Sequence, residues 1–87
     1  MYRFEFDEQK STSNLKKHGI DFITAQELWR DPDLIEIKAK PNSESHYLIV
    51  ACIAGKHWSA VVTYREDVVR IISVRHSRKS EVQLYES

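Results

Sequence analysis

The chain has 87 residues, a formal net charge of zero and a charged fraction of 30%. This length predicts one domain, residues 1–87, with a small core. The neutral total argues against a protein that binds nucleic acid through its overall charge, but basic residues cluster in two short segments, which suits a local anion site.

The cysteine content and the length of the apolar segments indicate the cellular compartment in which the protein is expected. Cys52 is the single cysteine and lies in an apolar run, so an internal disulfide is excluded and a reduced, cytoplasmic setting is expected. Residues 2–7 alternate and do not resemble a signal peptide, and the longest apolar run, residues 47–54, is too short to cross a membrane.

The N-terminal segment predicts a strand and then a polar helix. Aromatic residues alternate with charged ones over residues 2–7, which indicates a strand. Residues 8–18 form the helix, which Gly19 ends. Ser11, Leu15 and His18 are predicted to share one of its faces.

A second helix is predicted to pair with the first. Asp21 is a suitable N-cap residue, and Asp31-Pro32 ends the helix. Its apolar stripe is expected to face a sheet and consists of Phe22, Ala25, Leu28 and Trp29.

Four further strands and three turns are predicted from alternation and turn residues. In chain order they are a strand at 35–39, a turn at 41–43, a strand at 47–53, a turn at 54–56, a strand at 57–65, a turn at 66–67 and a strand at 68–74.

Residues 70–79 change from a β-branched apolar run to a cluster of cations. Arg75 and His76 are expected at the open end of the last strand, and Ser77 is expected to cap a final helix over residues 77–87. Such a strand end beside a helix start is suited to hold a phosphate. A solvated basic turn is the alternative.

The predicted order is β-α-α-β-β-β-β-α. Short connections between the later strands favour a mostly antiparallel sheet, which the helical hairpin covers on one face, with a short C-terminal helix. The fold class is therefore α+β.

The residues offer acid–base groups and cations but no metal motif, since the four histidines are scattered without ligand spacing. RNA cleavage needs activation of a 2′-hydroxyl, stabilisation of phosphate charge and protonation of the leaving oxygen. Arginine suits the second task, and spacing alone does not decide which residues perform the others. Arg65 and Arg75 lie at opposite ends of a hairpin and need not meet.

Several stretches resemble the signature of the BrnT family of toxins. That signature runs approximately F-E-W-D, N-x-x-K-H-G-V, F-x-x-A and D-P, and it ends R-I-I-S-A-R…E…Y-E. The matching stretches here are Phe4–Asp7, Asn14–Ile20, Phe22 with Ala25, Asp31–Pro32, Arg70–Arg75, Glu81 and Leu84–Glu86.

The resemblance implies a RelE-like fold and a metal-independent ribonuclease toxin that blocks translation and needs no cofactor. It also implies a cognate BrnA-type antitoxin, which binds operator DNA when the complex represses its own operon. The expected catalytic residues are Arg65, Arg75, His76, Glu81, Tyr85 and His18. The expected RNA phosphate-binding residues are Lys16, Lys17, Arg70, Arg78 and Lys79.

Among these, Arg75 and Arg65 are expected to bind phosphate, His76 or His18 to transfer protons, and Glu81 or Tyr85 to orient or activate. The family commonly has arginine, threonine and arginine where His76, Arg78 and Ser80 stand here. The alternative hypothesis is therefore a RelE-like module of weak or absent activity that binds its antitoxin and takes part in operon autoregulation.

Overall fold

The computed structural model describes residues 3–38 and 46–87. The predicted turn at 41–43 and the end of the predicted strand at residue 39 lie outside the described residues. The elements are β1 Arg3–Glu5, α1 Glu8–His18, α2 Phe22–Ala25, a 3₁₀ helix Gln26–Arg30, β2 Ile35–Lys38, β3 His46–Ile53, β4 Lys56–Arg65, β5 Val68–His76 and α3 Lys79–Glu86.

The strands form one sheet in the order β1-β5-β4-β3-β2. The pairs β2–β3, β3–β4 and β4–β5 are antiparallel, whereas β1 is parallel to β5. The predicted α+β layout, with a mostly antiparallel sheet, is confirmed. No helix in the described parts of the chain is long and apolar enough to cross a membrane.

The sheet has two differently covered faces. α1 and α2 pack on one side, here called the helical face, where Phe22, Leu28, Ile49 and Val62 are fully buried. Each such side chain contributes about 2 kcal/mol of hydrophobic stabilisation. α3 packs on part of the other side, here called the outer face. The core therefore lies on the helical face.

α1 attaches to the sheet through polar side chains. Leu15 is 48% exposed, whereas Ser11 and Asn14 are buried. The Asn14 side chain donates from Nδ2 to the carbonyls of Ile20 and Val74, and its Oδ1 accepts from the Val74 amide at 3.1 Å. These bonds satisfy backbone groups that apolar side chains could not satisfy.

The predicted second helix begins as expected, with Asp21 Oδ1 accepting from the Thr24 amide at 2.8 Å. It is α-helical only through Ala25 and then tightens into the 3₁₀ helix. Residues three apart eclipse in a 3₁₀ helix, so Ala25 and Leu28 both point into the core. Pro32 then prevents any continuation.

β5 is longer than predicted, and α3 is shorter. Because Ser59 pairs with Arg75 and Trp58 with His76, Arg75 and His76 lie within the strand rather than after it. The prediction that Ser77 caps the final helix was wrong. Its amide instead continues the strand pairing by donating to the His57 carbonyl at 3.2 Å. Arg78 occupies the N-cap position.

Candidate active site

Arg75 is held by a buried carboxylate. Its Nη1 donates to Glu81 Oε1 and its Nη2 to Glu81 Oε2, both at 2.8 Å, and Nη1 also donates to the His76 carbonyl at 3.2 Å. The Arg75 side chain is 27% exposed and that of Glu81 10%. The bidentate geometry fixes the guanidinium plane of a side chain that remains partly exposed.

Glu81 also gathers two further donors. Its Oε1 accepts from Ser59 Oγ and from the Arg78 amide, each at 2.8 Å. Ser59 is fully buried, and its hydroxyl lies 2.8 Å from Ser77 Oγ. Ser59, Arg75, Ser77 and Glu81 thus join β4, β5 and α3, and they are called the Arg75–Glu81 cluster below.

The cluster fixes the charge of both partners. The hydrogen bond from Arg75 lowers the pKa of Glu81 to about 2, against the opposing effect of burial, and the same bond raises the pKa of Arg75. Glu81 is therefore an anion at neutral pH with both oxygens occupied. Such a group can orient Arg75, but it has no proton to donate.

Arg75 keeps unused donors for a ligand. Its Nη1 hydrogens are both engaged and one Nη2 hydrogen meets Glu81, whereas no described residue accepts from its Nε or from its second Nη2 hydrogen. These two donors form one edge of the guanidinium. An edge of two parallel N–H groups matches two oxygens of a phosphate.

His76 lies on the opposite face of the sheet from Arg75. Neighbouring residues of a strand point to opposite sides, and the exposed His76 ring stacks on Trp58 of the helical face, with centroids 4.1 Å apart. The two side chains thus emerge at the same end of the sheet but on different sides of it.

The structure does not bring Arg65 or Arg70 into the cluster. Arg65 pairs with Val68 and stands six positions from Ser59 along β4, a distance of about 20 Å. Arg70 donates to Glu5 Oε2 at 3.1 Å on the exposed part of β1. Arginines at both ends of the hairpin therefore cannot share one phosphate.

The remaining predicted cations fall into two groups. Arg78 and Lys79 are exposed at the start of α3, between Ser77 and Glu81 of the cluster in the sequence. Lys16, Lys17 and His18 form the last turn of α1, which packs on the helical face. Cations at a helix C-terminus also interact favourably with the helix dipole.

Tyr85 anchors the far end of α3. Its hydroxyl donates to Asp31 Oδ2 at 2.5 Å, and the same oxygen accepts from the Cys52 amide at 2.8 Å. The bond to Asp31 and burial raise the pKa of Tyr85. Although burial opposes ionisation of Asp31, hydrogen bonds from Tyr85 and from two backbone amides lower its pKa.

Sequence reasoning did not single out Ser59, Asp31 or His57 as site residues. His57 packs edge-on against Tyr85, and its Nε2 lies 3.6 Å from Glu86 Oε2. Alternation along β4 correctly placed His57 and Ser59 on one face. The pattern did not reveal that α3 covers this end of that face.

A surface cavity of about 250 Å³ lies near Asp31, and its lining includes no sequence-predicted catalytic residue. It is lined by Glu27, Arg30, Asp31, Cys52, Ile53 and Ala54. Over residues 3–38 and 46–87, no group of three or more His, Cys, Asp or Glu side chains could hold a metal ion.

Comparison with known proteins identifies the family. The family model described as the ribonuclease toxin BrnT of type II toxin-antitoxin systems matches residues 6–81, which include the whole Arg75–Glu81 cluster. No curated protein matches the chain. Because the match covers most of the sequence, the chain belongs to the BrnT family of ribonuclease toxins of type II toxin–antitoxin systems.

Proposed function

We propose that this protein is an endoribonuclease that cleaves RNA without a metal ion, inhibits translation and is neutralised by a cognate BrnA-type antitoxin. The observation that supports this most strongly is the geometry of Arg75. Its guanidinium is fixed by Glu81 and keeps two N–H donors from which no described residue accepts, and the exposed cations Arg78 and Lys79 follow it in the chain.

The proposed reaction is an internal transfer of the phosphoryl group. The 2′-oxygen attacks phosphorus and loses its proton to a base, a 2′,3′-cyclic phosphate forms, and the P–O5′ bond breaks. The 5′-oxygen receives a proton and leaves. Arg75 stabilises charge on the phosphate oxygens, and a fixed donor achieves this without reorganisation during the reaction.

The other residues take supporting roles in this proposal. His76 transfers protons, because it is exposed at the same end of the sheet and an imidazole can both accept and donate a proton. Glu81 is a positioning residue for Arg75, and Tyr85 positions α3 through Asp31. Arg78 and Lys79 attract the neighbouring RNA phosphates.

A second candidate is a weakly active or inactive module that binds the antitoxin and takes part in operon repression, with the antitoxin contacting the DNA. The Arg75–Glu81 ion pair favours it, since the carboxylate neutralises the charge that phosphate would otherwise meet. An activity measurement separates the two candidates.

The test is cleavage of RNA by purified, antitoxin-free protein in excess EDTA, for wild type, Arg75→Ala and Arg65→Ala. Wild type and Arg65→Ala should cleave at similar rates, and Arg75→Ala should be slower by about 100-fold, as when a fixed charge-stabilising donor is lost. Intact RNA with all three folded proteins would support the inactive module. Cleavage that EDTA abolishes would contradict metal independence.

A further inference from the structure

We infer that His57 is the general base of the proposed cleavage and takes the proton from the 2′-oxygen, while His76 supplies the proton to the leaving 5′-oxygen. The inference rests on the proposed function, because a general base acts only if RNA is cleaved. It divides the two proton transfers between two histidines and adds a catalytic residue on the face that carries Arg75.

The sheet register places His57 beside the Arg75–Glu81 cluster. His57 and Ser59 lie two positions apart on the outer face of β4, and Ser59 pairs with Arg75. The Ser77 amide donates to the His57 carbonyl, so these two residues are also neighbours across the strands. His57 and Arg75 are therefore diagonal neighbours on one face, about 7 Å apart at Cα, a spacing that long side chains can span.

The other three histidines lie elsewhere in the described structure. His76 stacks on Trp58 of the helical face, and His18 belongs to α1, which packs on that same face. His46 pairs with Thr63, six positions from His57 along β4, a distance of about 20 Å. His57 is thus the histidine that shares both the outer face and the end of the sheet with the cluster.

The surroundings of the His57 ring suit a base. Its Nε2 lies 3.6 Å from Glu86 Oε2, and the ring packs edge-on against Tyr85, with centroids 5.2 Å apart. A carboxylate beside Nε2 holds a proton on that nitrogen, which leaves the lone pair of Nδ1 to accept another. The same carboxylate stabilises the imidazolium that then forms. The side chain is 24% exposed, so it is accessible from solvent.

The chemistry requires two separate proton-transfer groups. In-line displacement places the attacking and leaving oxygens on opposite sides of phosphorus, so one imidazole cannot serve both at once. Nδ1 of His57 takes the 2′-hydroxyl proton as the 2′-oxygen bonds to phosphorus. The P–O5′ bond breaks, its electron pair goes to the 5′-oxygen, and that oxygen takes a proton from the His76 imidazolium. The two histidines emerge at the same end of the sheet on opposite sides, which matches these two tasks.

The test compares the initial rate at which antitoxin-free wild type, His57→Ala and His57→Phe cleave a random-sequence RNA oligonucleotide pool at saturating protein. Both variants should be slower by about 100-fold, as when a general base is lost. Added imidazole should restore part of the activity of His57→Ala, above the rate with imidazole alone, because the missing ring leaves room for it. It should not restore His57→Phe, whose ring fills that space and keeps the contact with Tyr85.

His46→Phe is the matched control, because it makes the same substitution far from the cluster and should cleave like wild type. Circular dichroism reports whether each variant folds, and His57→Phe alone decides if His57→Ala does not fold.

The outcomes separate this inference from the ribonuclease proposal. Wild-type cleavage by folded His57→Phe overturns the base and leaves the ribonuclease proposal intact. A slow, folded His57→Ala that imidazole does not restore also overturns it, since the ring then acts through packing. Intact RNA with folded wild type overturns the ribonuclease proposal and this inference together.

Discussion

At the scale of single residues, Glu81 determines the candidate site. One carboxylate accepts hydrogen bonds from Arg75, Ser59 and the Arg78 amide, and so connects two strands to the last helix. Removing one partner of a shielded ion pair leaves the other charge unpaired, which costs more than the pair itself contributes. Two predictions follow from this geometry.

Glu81→Gln should lower the free energy of unfolding by about 2 kcal/mol, because it replaces charge-assisted hydrogen bonds with weaker ones. Urea denaturation at pH 7 measures the change. Glu86→Gln is the control on the same helix, since Glu86 is exposed and should cost less than about 1 kcal/mol. Equal losses in the two variants would mean that Glu81 has no special role.

The acid dependence of stability should differ between wild type and Glu81→Gln. The pKa of Glu81 is lowered from 4.5 to about 2 in the folded protein, so its stabilisation is complete above pH 4.5 and is lost as the pH falls towards 2. The difference in unfolding free energy between the two proteins should shrink over that range. A difference that stays constant from pH 5 to pH 2.5 would contradict the depressed pKa.

At the scale of elements, the helices depend on polar anchors more than on apolar burial. α3 buries Glu81 and leaves Leu84 54% exposed, and its other end is tied by Tyr85 to Asp31. α1 is tied by Asn14 to the backbone of β5. An element held by a few hydrogen bonds is released locally when one of them is removed.

Tyr85→Phe should destabilise the protein by about 1.5 kcal/mol, since it leaves an Asp31 oxygen short of one donor. Amide exchange should accelerate within α3 and remain slow in β4. Tyr64→Phe is the control, because its hydroxyl donates to the exposed Glu36 at 2.7 Å on the other side of the sheet. Unchanged exchange in α3 of Tyr85→Phe would show that the hydroxyl does not anchor the helix.

Asn14→Ala should lower the free energy of unfolding by about 2 kcal/mol, because backbone groups of Ile20 and Val74 lose their side-chain partner while buried. Thermal denaturation detects the loss. Ser13→Ala, one position earlier and exposed, should leave the midpoint almost unchanged. A similar midpoint for both variants would contradict the anchoring role of Asn14.

The sequence allowed the strands to be predicted well because each face has a clear period. Alternation gave both faces of β4, and Gly19 with Asp21 gave the boundary between the first two helices. It did not reveal buried polar side chains such as Ser59 and Asn14, since polar residues are usually exposed. Asp31 and Tyr85 are 54 positions apart, so their bond has no local signal.

At the scale of the whole molecule, function depends on which side chains the sheet brings to one end. Arg75, Glu81 and Ser59 meet on the outer face, His76 emerges on the helical face, and Arg65 stays about 20 Å away.

The central claim is that RNA cleavage depends on Arg75, and growth with total-RNA integrity after induced expression without antitoxin tests it most directly. Wild type and Arg65→Ala should arrest growth and fragment RNA, whereas folded Arg75→Ala should do neither. Normal growth and intact RNA with soluble, folded wild type, or arrest by Arg75→Ala equal to wild type, would contradict the account.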